Sequence, residues 1–335
     1  AAYSPVVALA GSLSSAHIYR DAFQEVDQQS LFKPITKKTW TLTQTSRIPE
    51  MMREAFRTAL SPRRGPVLLN LPRDLLAEAA EFPDFHGPEG RQFEGGFTAS
   101  RELLAKAADL LRGARQPLIL AGGGVKNSRC YEEVLALAER LQAPVVMSPG
   151  HGDAIPCSHR LYGGQVGPRG NLVASDLARR ADVILALGTR IGFNTTFYSY
   201  DNINREAQII QVEADPAAIG RFFPVKLGLV GSAREIASDL GTLLQGHEAG
   251  ADARAWTDAF MEARTAMLVK RDHDAGGGAD PLQPAFLFRT LRDVLPDDTM
   301  YTMDAGTLCL QATDNLRYCQ FSMPHDHLTT YLNIL

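Results

Sequence analysis

Cysteine is scarce in this chain. Four residues, Cys130, Cys157, Cys309 and Cys319, are spread through a length of 335. None forms a C-x-x-C pair, so neither a zinc site nor a disulfide framework is encoded, and a reducing, cytoplasmic setting is expected. Runs of lysine or arginine are missing too. Lys plus Arg at 34 against Asp plus Glu at 38 leaves a net charge of −4, so neither nucleic acid nor an anionic membrane is expected as a partner. No apolar stretch reaches the ~18 residues of a membrane span. Val6–Ala10 is apolar, but no basic segment precedes it, and a secretory signal is not expected there. The motifs G-x-S-x-G, H-E-x-x-H and G-x-x-x-x-G-K-[ST] are absent, which removes the common hydrolase, zincin and P-loop readings. G-x-G-x-x-G is absent as well, which argues against a nicotinamide dehydrogenase.

What is present is an ordinary globular composition, 45% hydrophobic and 21% charged, in a chain long enough for two or three domains. Residues 117–121 are an apolar run, followed by Gly122-Gly123-Gly124. Val134, Leu135, Ala138 and Leu141 then share one helical face, and 144–147 is apolar again. Strand, glycine turn, helix and strand within ~30 residues make a βαβ unit, which packs as parallel sheet. A helix over 172–180, strands at 182–187, 208–212 and 227–230 and a helix over 233–244 continue the pattern. The spacing predicts a doubly wound α/β domain over 100–245, with a six-stranded parallel sheet and helices on both faces. Residues 81–99 and 246–284 read as linkers, the second carrying a helix over 256–271. Before them, 1–80 holds a smaller α/β piece with strands at 6–10 and 67–71 and a helix at 48–60. After them, 285–335 opens a third, with a helix over 284–295 and a strand over 299–303.

Several strand ends carry chemistry. Gly122, Gly123 and Gly124 would let backbone approach a phosphate, and equally would serve a tight strand-to-helix turn. Glu213 and Asp215 close a later strand at the carboxyl edge, where an acid can hold a ribose hydroxyl. Asp215 taken alone reads rather as the cap of the turn opening at Pro216. Arg190 ends another strand, facing an anion or making a surface ion pair. Asp304-Ala305-Gly306-Thr307 is a further turn whose N–H groups suit a diphosphate. His325-Asp326-His327 could chelate a metal, but an exposed terminal segment is the better reading, and no metal ligand is assigned.

The order of these pieces resembles the thiamine-diphosphate-dependent enzymes of the acetolactate synthase group. Arg20-Asp21-Ala22-Phe23-Gln24-Glu25-Val26-Asp27 is similar to the family's D-A-F-Q-E-x-D, and Pro34-Ile35-Thr36-Lys37 to its P-[IV]-[TV]-K. The run from Arg63 to Asp74, RRGPVLLNLPRD, resembles the end of the family's pyrimidine-binding domain. Leu120–Gly124, Leu187–Arg190 and Val212–Gly220 match its central domain, and Asp304-Ala305-Gly306 the start of its diphosphate-binding domain.

The resemblance implies a doubly wound central domain flanked by two partial thiamine-diphosphate-binding domains, 1–80 and 285–335. It implies a carboligase or acyltransferase acting on a 2-oxo acid or a related small aldehyde, using thiamine diphosphate and Mg²⁺ in a homodimer or homotetramer. Phe23 and Gln24 would lie at the substrate side of the cofactor. Arg73 and Arg169 would meet substrate, and Gly306, Thr307 and Leu308 the diphosphate. Gly122, Gly123, Gly124, Arg190, Glu213 and Asp215 would border FAD or a nucleotide, although Arg190 is followed by Ile-Gly-Phe-Asn and not the family's acidic stretch. Asn70-Leu71-Pro72-Arg73-Asp74 leans toward the sulfoacetaldehyde acetyltransferase branch. The cofactor-activating glutamate would precede Val6 and the G-D-G metal motif would follow residue 335, so the chain is expected to be a fragment lacking both ends and inactive by itself. The competing reading is a non-catalytic nucleotide-binding or structural module.

Overall fold

A chain of short apolar runs separated by glycine turns and amphipathic helices folds into parallel sheets. The computed structural model describes residues 3–82, 96–151, 153–168, 170–276, 281–296, 299, 303–304, 312, 315–316 and 332–333. It divides into two units, Ala1–Gly95 and Gly96–Leu335.

In the first unit, β1 (Val7–Ser12), helix α1 (Gln28–Phe32), β2 (Lys38–Thr41), helix α2 (Ile48–Leu60), β3 (Val67–Pro72) and helix α3 (Arg73–Ala77) follow in order. The sheet is parallel, with β3 between β1 and β2. β3 is the buried strand, because Val67, Leu68 and Leu69 are apolar on both faces. α2 covers one face by burying Met51, Ala55 and Ala59, which recur at helical spacing and pack with Leu42, Leu69 and Val67. Lys37 reaches from the start of β2 to the C-terminus of α2, where its Nζ donates to Thr58 O at 2.6 Å and Ser61 Oγ at 2.7 Å. Burial pushes that ammonium down from its ordinary range, and the free carbonyls of the helix end supply the acceptors it needs.

The second unit runs through α4 (Arg101–Arg112), β4 (Pro117–Ala121), α5 (Gly123–Ser128), α6 (Tyr131–Leu141), β5 (Val145–Met147), β6 (Tyr162–Gln165), α7 (Leu172–Arg180), β7 (Val183–Leu187), α8 (Phe193–Thr196), β8 (Gln208–Glu213), β9 (Leu227–Val230), α9 (Ala233–Leu243), α10 (Ala251–Asp274), α11 (Pro284–Val294), β10 (Met303–Asp304) and β11 (Leu332–Asn333). β4 to β9 form one six-stranded parallel sheet in the order β6-β5-β4-β7-β8-β9. Strand residues alternate strictly between two cores. Ile119, Ala121, Val145, Met147, Leu185 and Val212 face α4, α6 and α9, while Leu118, Leu120, Val146, Ile184 and Ile209 face α7 and α10. The direction of winding reverses between β4 and β7. That is the switch point at which open α/β sheets leave a crevice beyond their carboxyl ends.

The sixth strand of the central sheet and α10 differ from the sequence expectation. That strand is Tyr162–Gln165, which contains Gly163 and Gly164 and has no apolar run. α10 starts at Ala251, five residues earlier than expected, and its first half belongs to the core. Trp256 and Phe260 are buried against the sheet, and Trp256 Nε1 donates to Pro117 O at 3.0 Å. Further on, Asp272 of α10 accepts from Arg292 of α11 at 3.0 Å, and β10 pairs in parallel with β11.

Candidate functional site

In the first unit the residues of interest gather at the carboxyl edge of the sheet. The loop after β1 is wound around one side chain. Glu25 accepts from the backbone N–H of Tyr19 at 2.5 Å, of Ala22 at 3.1 Å and of Arg20 at 3.3 Å. These N–H donors hold its carboxyl below the usual carboxylate range. Closing so tight a ring requires left-handed backbone, and Tyr19, Asp21 and Gln24 adopt φ of 62°, 53° and 64°. Phe23 is turned outward with 86% of its surface exposed.

The same edge carries Arg73, which is exposed at the first position of α3. Its neighbour Asp74 accepts from the Ser15 N–H at 3.0 Å, tying the start of α3 to the loop that carries Phe23 and Gln24. The register Ser12 opposite Pro72 places both loops at one end of adjacent strands. Beneath them are polar residues that the sequence reading did not single out as a group. Gln28 Nε2 donates to Gly11 O at 3.0 Å, and Gln29 Nε2 to Thr41 Oγ1 at 2.5 Å. Ser12 Oγ, Gln28 Oε1 and Asn70 Oδ1 are buried with no hydrogen-bond partner. Buried oxygens without donors cost ~1–3 kcal/mol each, so this edge fits a small ligand that brings N–H or O–H groups. The clue in the sequence is a polar residue, Asn70, inside an otherwise apolar central strand.

In the second unit the residues of interest ring the switch point. Gly122, Gly123 and Gly124 end β4 and open α5, and Gly188, Thr189 and Arg190 end β7. A Cβ on Gly122 would stand 2.5 Å from Gly188 O, and one on Gly124 2.5 Å from Gly188 Cα. Closure of two strand ends thus accounts for Gly122 and Gly124, whose amides donate to Leu187 O at 3.0 Å and Gly188 O at 2.9 Å. Ser148 Oγ lies 3.0 Å from Thr189 Oγ1, and Gln211 Nε2 donates to Thr189 O at 3.1 Å, which completes a buried polar seam under the crevice.

Glu213 and Asp215 lie further along the edge and are turned to local duties. Glu213 Oε1 accepts from the next amide, Ala214, at 3.1 Å, and Asp215 Oδ1 caps the turn at Pro216–Ala218 by accepting from Ala217 N at 3.0 Å. The structure brings a different set around Gly123. The His151 ring packs on it, with Cε1 3.0 Å from where a Cβ would be. Lys126 pairs with the buried Asp153 at 3.0 Å. Burial pushes the His151 imidazole down, Asp153 pulls it up, and Lys126 and Arg190 push it down again. Arg190 is followed by Ile191, fully buried at φ 51°, an outlier for a β-branched residue. With Lys126 on α5, His151 and Asp153 in the loop after β5 and Arg190 in the loop after β7, the sequence carries no signal for this grouping.

Arg169 and the turn residues Gly306, Thr307 and Leu308 lie outside the described residues, as does His325-Asp326-His327. Among the described residues no group of three or more His, Cys, Asp or Glu could hold a metal ion, and no helix is long and apolar enough to cross a membrane.

Residues 104–240 match the family described as the thiamine pyrophosphate enzyme, central domain. The chain is 29% identical over 311 residues to the acetolactate synthase isozyme 3 large subunit of Escherichia coli, covering 90% of this chain and 53% of that protein. It is 33% identical over 312 residues to a probable acetolactate synthase large subunit of Methanocaldococcus jannaschii, with coverage of 90% and 52%. It is 32% identical over 342 residues to the sulfoacetaldehyde acetyltransferase of Castellaniella defragrans, with coverage of 95% and 55%. The chain spans about half the length of the curated relatives it matches.

Proposed function

We propose that this chain, whose residues 104–240 match the thiamine pyrophosphate enzyme central domain, is part of a thiamine-diphosphate-dependent carboligase or acyltransferase acting on a 2-oxo acid or a related small carbonyl compound. The observation that carries this reading is the similarity to acetolactate synthases and sulfoacetaldehyde acetyltransferases over at least 90% of the chain. It spans the outward-facing Phe23–Gln24 loop as well as the central domain. In this reading 1–80 is the pyrimidine-side domain, 100–245 the central domain and 285–335 the start of the diphosphate-side domain.

Thiamine diphosphate, when bound, supplies a nucleophilic carbon for a carbonyl group. The protein's part is to position and to exclude water. Phe23 presents an apolar ring that covers the reacting carbonyl, and the Gln24 amide orients its oxygen. Arg73, exposed beside them at the head of α3, pairs with the acid group of the substrate, and Arg169 and the Gly306–Leu308 turn complete the set by resemblance. Mg²⁺, a homodimer or homotetramer and a cytoplasmic setting belong to the same proposal.

The test uses a protein spanning the full length of the relatives. Thiamine-diphosphate-dependent CO₂ release from pyruvate, or acetyl-group transfer, should be measurable. Gln24→Ala should lower kcat/KM by about tenfold or more, equivalent to ~1.4 kcal/mol of transition-state stabilisation, with an unchanged circular dichroism spectrum. Absence of turnover with every small carbonyl compound tried, together with nucleotide binding, would instead favour the non-catalytic module.

A further inference from the structure

The groove between β2 and α2 in the first unit encloses about 830 Å³, within the usual range for a small-molecule site. Lys38, Arg47, Arg53 and Arg57 line it, against only two carboxylates, Glu50 and Glu54. Both carboxylates are engaged. Glu50 accepts from Arg47 through Nε at 3.0 Å and Nη2 at 2.7 Å. Glu54 is paired with Arg57 and also accepts from Thr58 Oγ1 at 3.2 Å. Lys38 holds its Nζ 5.1 Å above the Trp40 ring, a contact that leaves its N–H donors available. Arg53 is the residue that stands out. Its Nη1 is buried with no hydrogen-bond partner, and its charge acts on Glu50 only at a distance.

A buried guanidinium nitrogen without an acceptor is costly, and the groove holds more positive than negative charge. The group that would satisfy both conditions is a dianion with several oxygens. Arginine binds such oxyanions through its planar fork and lysine as a point charge. The space beyond one phosphate, walled by Trp40 and Met51, is room for an organic portion. We propose that this groove binds a small phosphorylated molecule, with Arg53 and Lys38 as its principal contacts. It is lined by β2 and α2 and includes neither Phe23, Gln24 nor Arg73, so it does not depend on the proposed reaction.

The chain carries its own reporter. Its two tryptophans are Trp40 and Trp256, and Trp256 is buried in the second unit while Trp40 lines the groove. In a Trp256→Phe background at low salt, titration with ADP and with inorganic pyrophosphate should give a saturable change in Trp40 emission. Adenosine should give none, and added NaCl should weaken the binding. Arg53→Gln and Lys38→Gln should each weaken it by about tenfold, one charge-assisted contact being lost, and Arg234→Gln in the second unit should leave it unchanged. Two variants are used so that misfolding of one, seen by circular dichroism, leaves the other to decide. The proposal is overturned if no saturable response appears, if adenosine binds as well as ADP, or if a folded Arg53→Gln or Lys38→Gln protein binds like the parent.

Discussion

Gly124 and Gly188 meet backbone to backbone, the amide of one donating to the carbonyl of the other at 2.9 Å across the switch point of the sheet. Gly188 also needs its φ of 62°, so it is constrained twice. Gly192, on the following loop, has nothing within 4 Å of where a Cβ would stand and no left-handed φ. Gly124→Ala should therefore destabilise by about 1–3 kcal/mol through overpacking, and Gly188→Ala by more, whereas Gly192→Ala should stay within ~0.5 kcal/mol. Thermal denaturation followed by circular dichroism separates the three. Equal melting temperatures for Gly124→Ala and Gly192→Ala would mean that the two strand ends have room to part.

Gln211 is a buried clasp beneath the same crevice. It donates to Thr189 O at 3.1 Å and Ala218 O at 3.3 Å, and accepts from Gly220 N at 2.8 Å. Gln211→Leu keeps the bulk but strands these backbone groups, at ~1–3 kcal/mol for each that water cannot reach. A loss of about 2–4 kcal/mol in urea unfolding, with an unchanged slope, is the expected result. A loss below the uncertainty of the fit would show that the loops repack without the clasp.

His151 gives the fold a pH dependence near neutrality. Burial holds its folded-state pKa below the ordinary value of 6.5. As pH falls through that value the unfolded chain takes up a proton that the folded chain refuses. Stability is thus fully present above about pH 6.5, falls below it, and levels off below the folded-state pKa. Comparing melting temperatures at about pH 7.5 and pH 5.5, His151→Asn should lose less than the parent. His247 is lowered in the same direction, first by burial, and remains in the variant, so the dependence should shrink and not vanish. An identical pH difference in both proteins would rule out a protonation penalty at His151.

The Glu25 carboxylate holds its loop in the opposite half of the acid range. Its folded-state pKa lies below 4.5, so the contribution is present above that pH and is lost as the pH falls through the folded-state value. Amide hydrogen exchange at Tyr19 and Ala22 should accelerate in that window, and in Glu25→Ala at any pH. Exchange that is unaltered by Glu25→Ala would show that the loop is held by something other than its carboxylate.

Much of the sheet could be read in advance, for a simple reason. Strands covered on both faces are apolar at nearly every position, so 117–121 and 183–187 stand out as unbroken runs. Tyr162–Gln165 was illegible because it is built from glycine where others use valine. A Cβ on Gly163 would stand 2.7 Å from Val146 Cγ1, and Gly164 has φ 85°. β2 was missed as well, because Lys38-Thr39-Trp40-Thr41 alternates too briefly to show a period. At the candidate site, Asp215 capping its turn was legible from Asp-Pro alone. The grouping of His151 with Lys126, Asp153 and Arg190 was not, since the four come from the ends of three strands and only the sheet order brings them together.

The ring of amides around Glu25 separates shape from surface. Its inner circle consists of main chain and one carboxylate, so the side chains of Tyr19, Arg20 and Phe23 take no part in holding it. The loop is therefore a cassette. Its outward residues can be exchanged for others without redrawing the path of the chain, provided that 19, 21 and 24 tolerate left-handed backbone, as asparagine and glycine do. A library that randomises 20 and 23 and keeps Glu25 would vary the surface the loop presents while keeping where it stands.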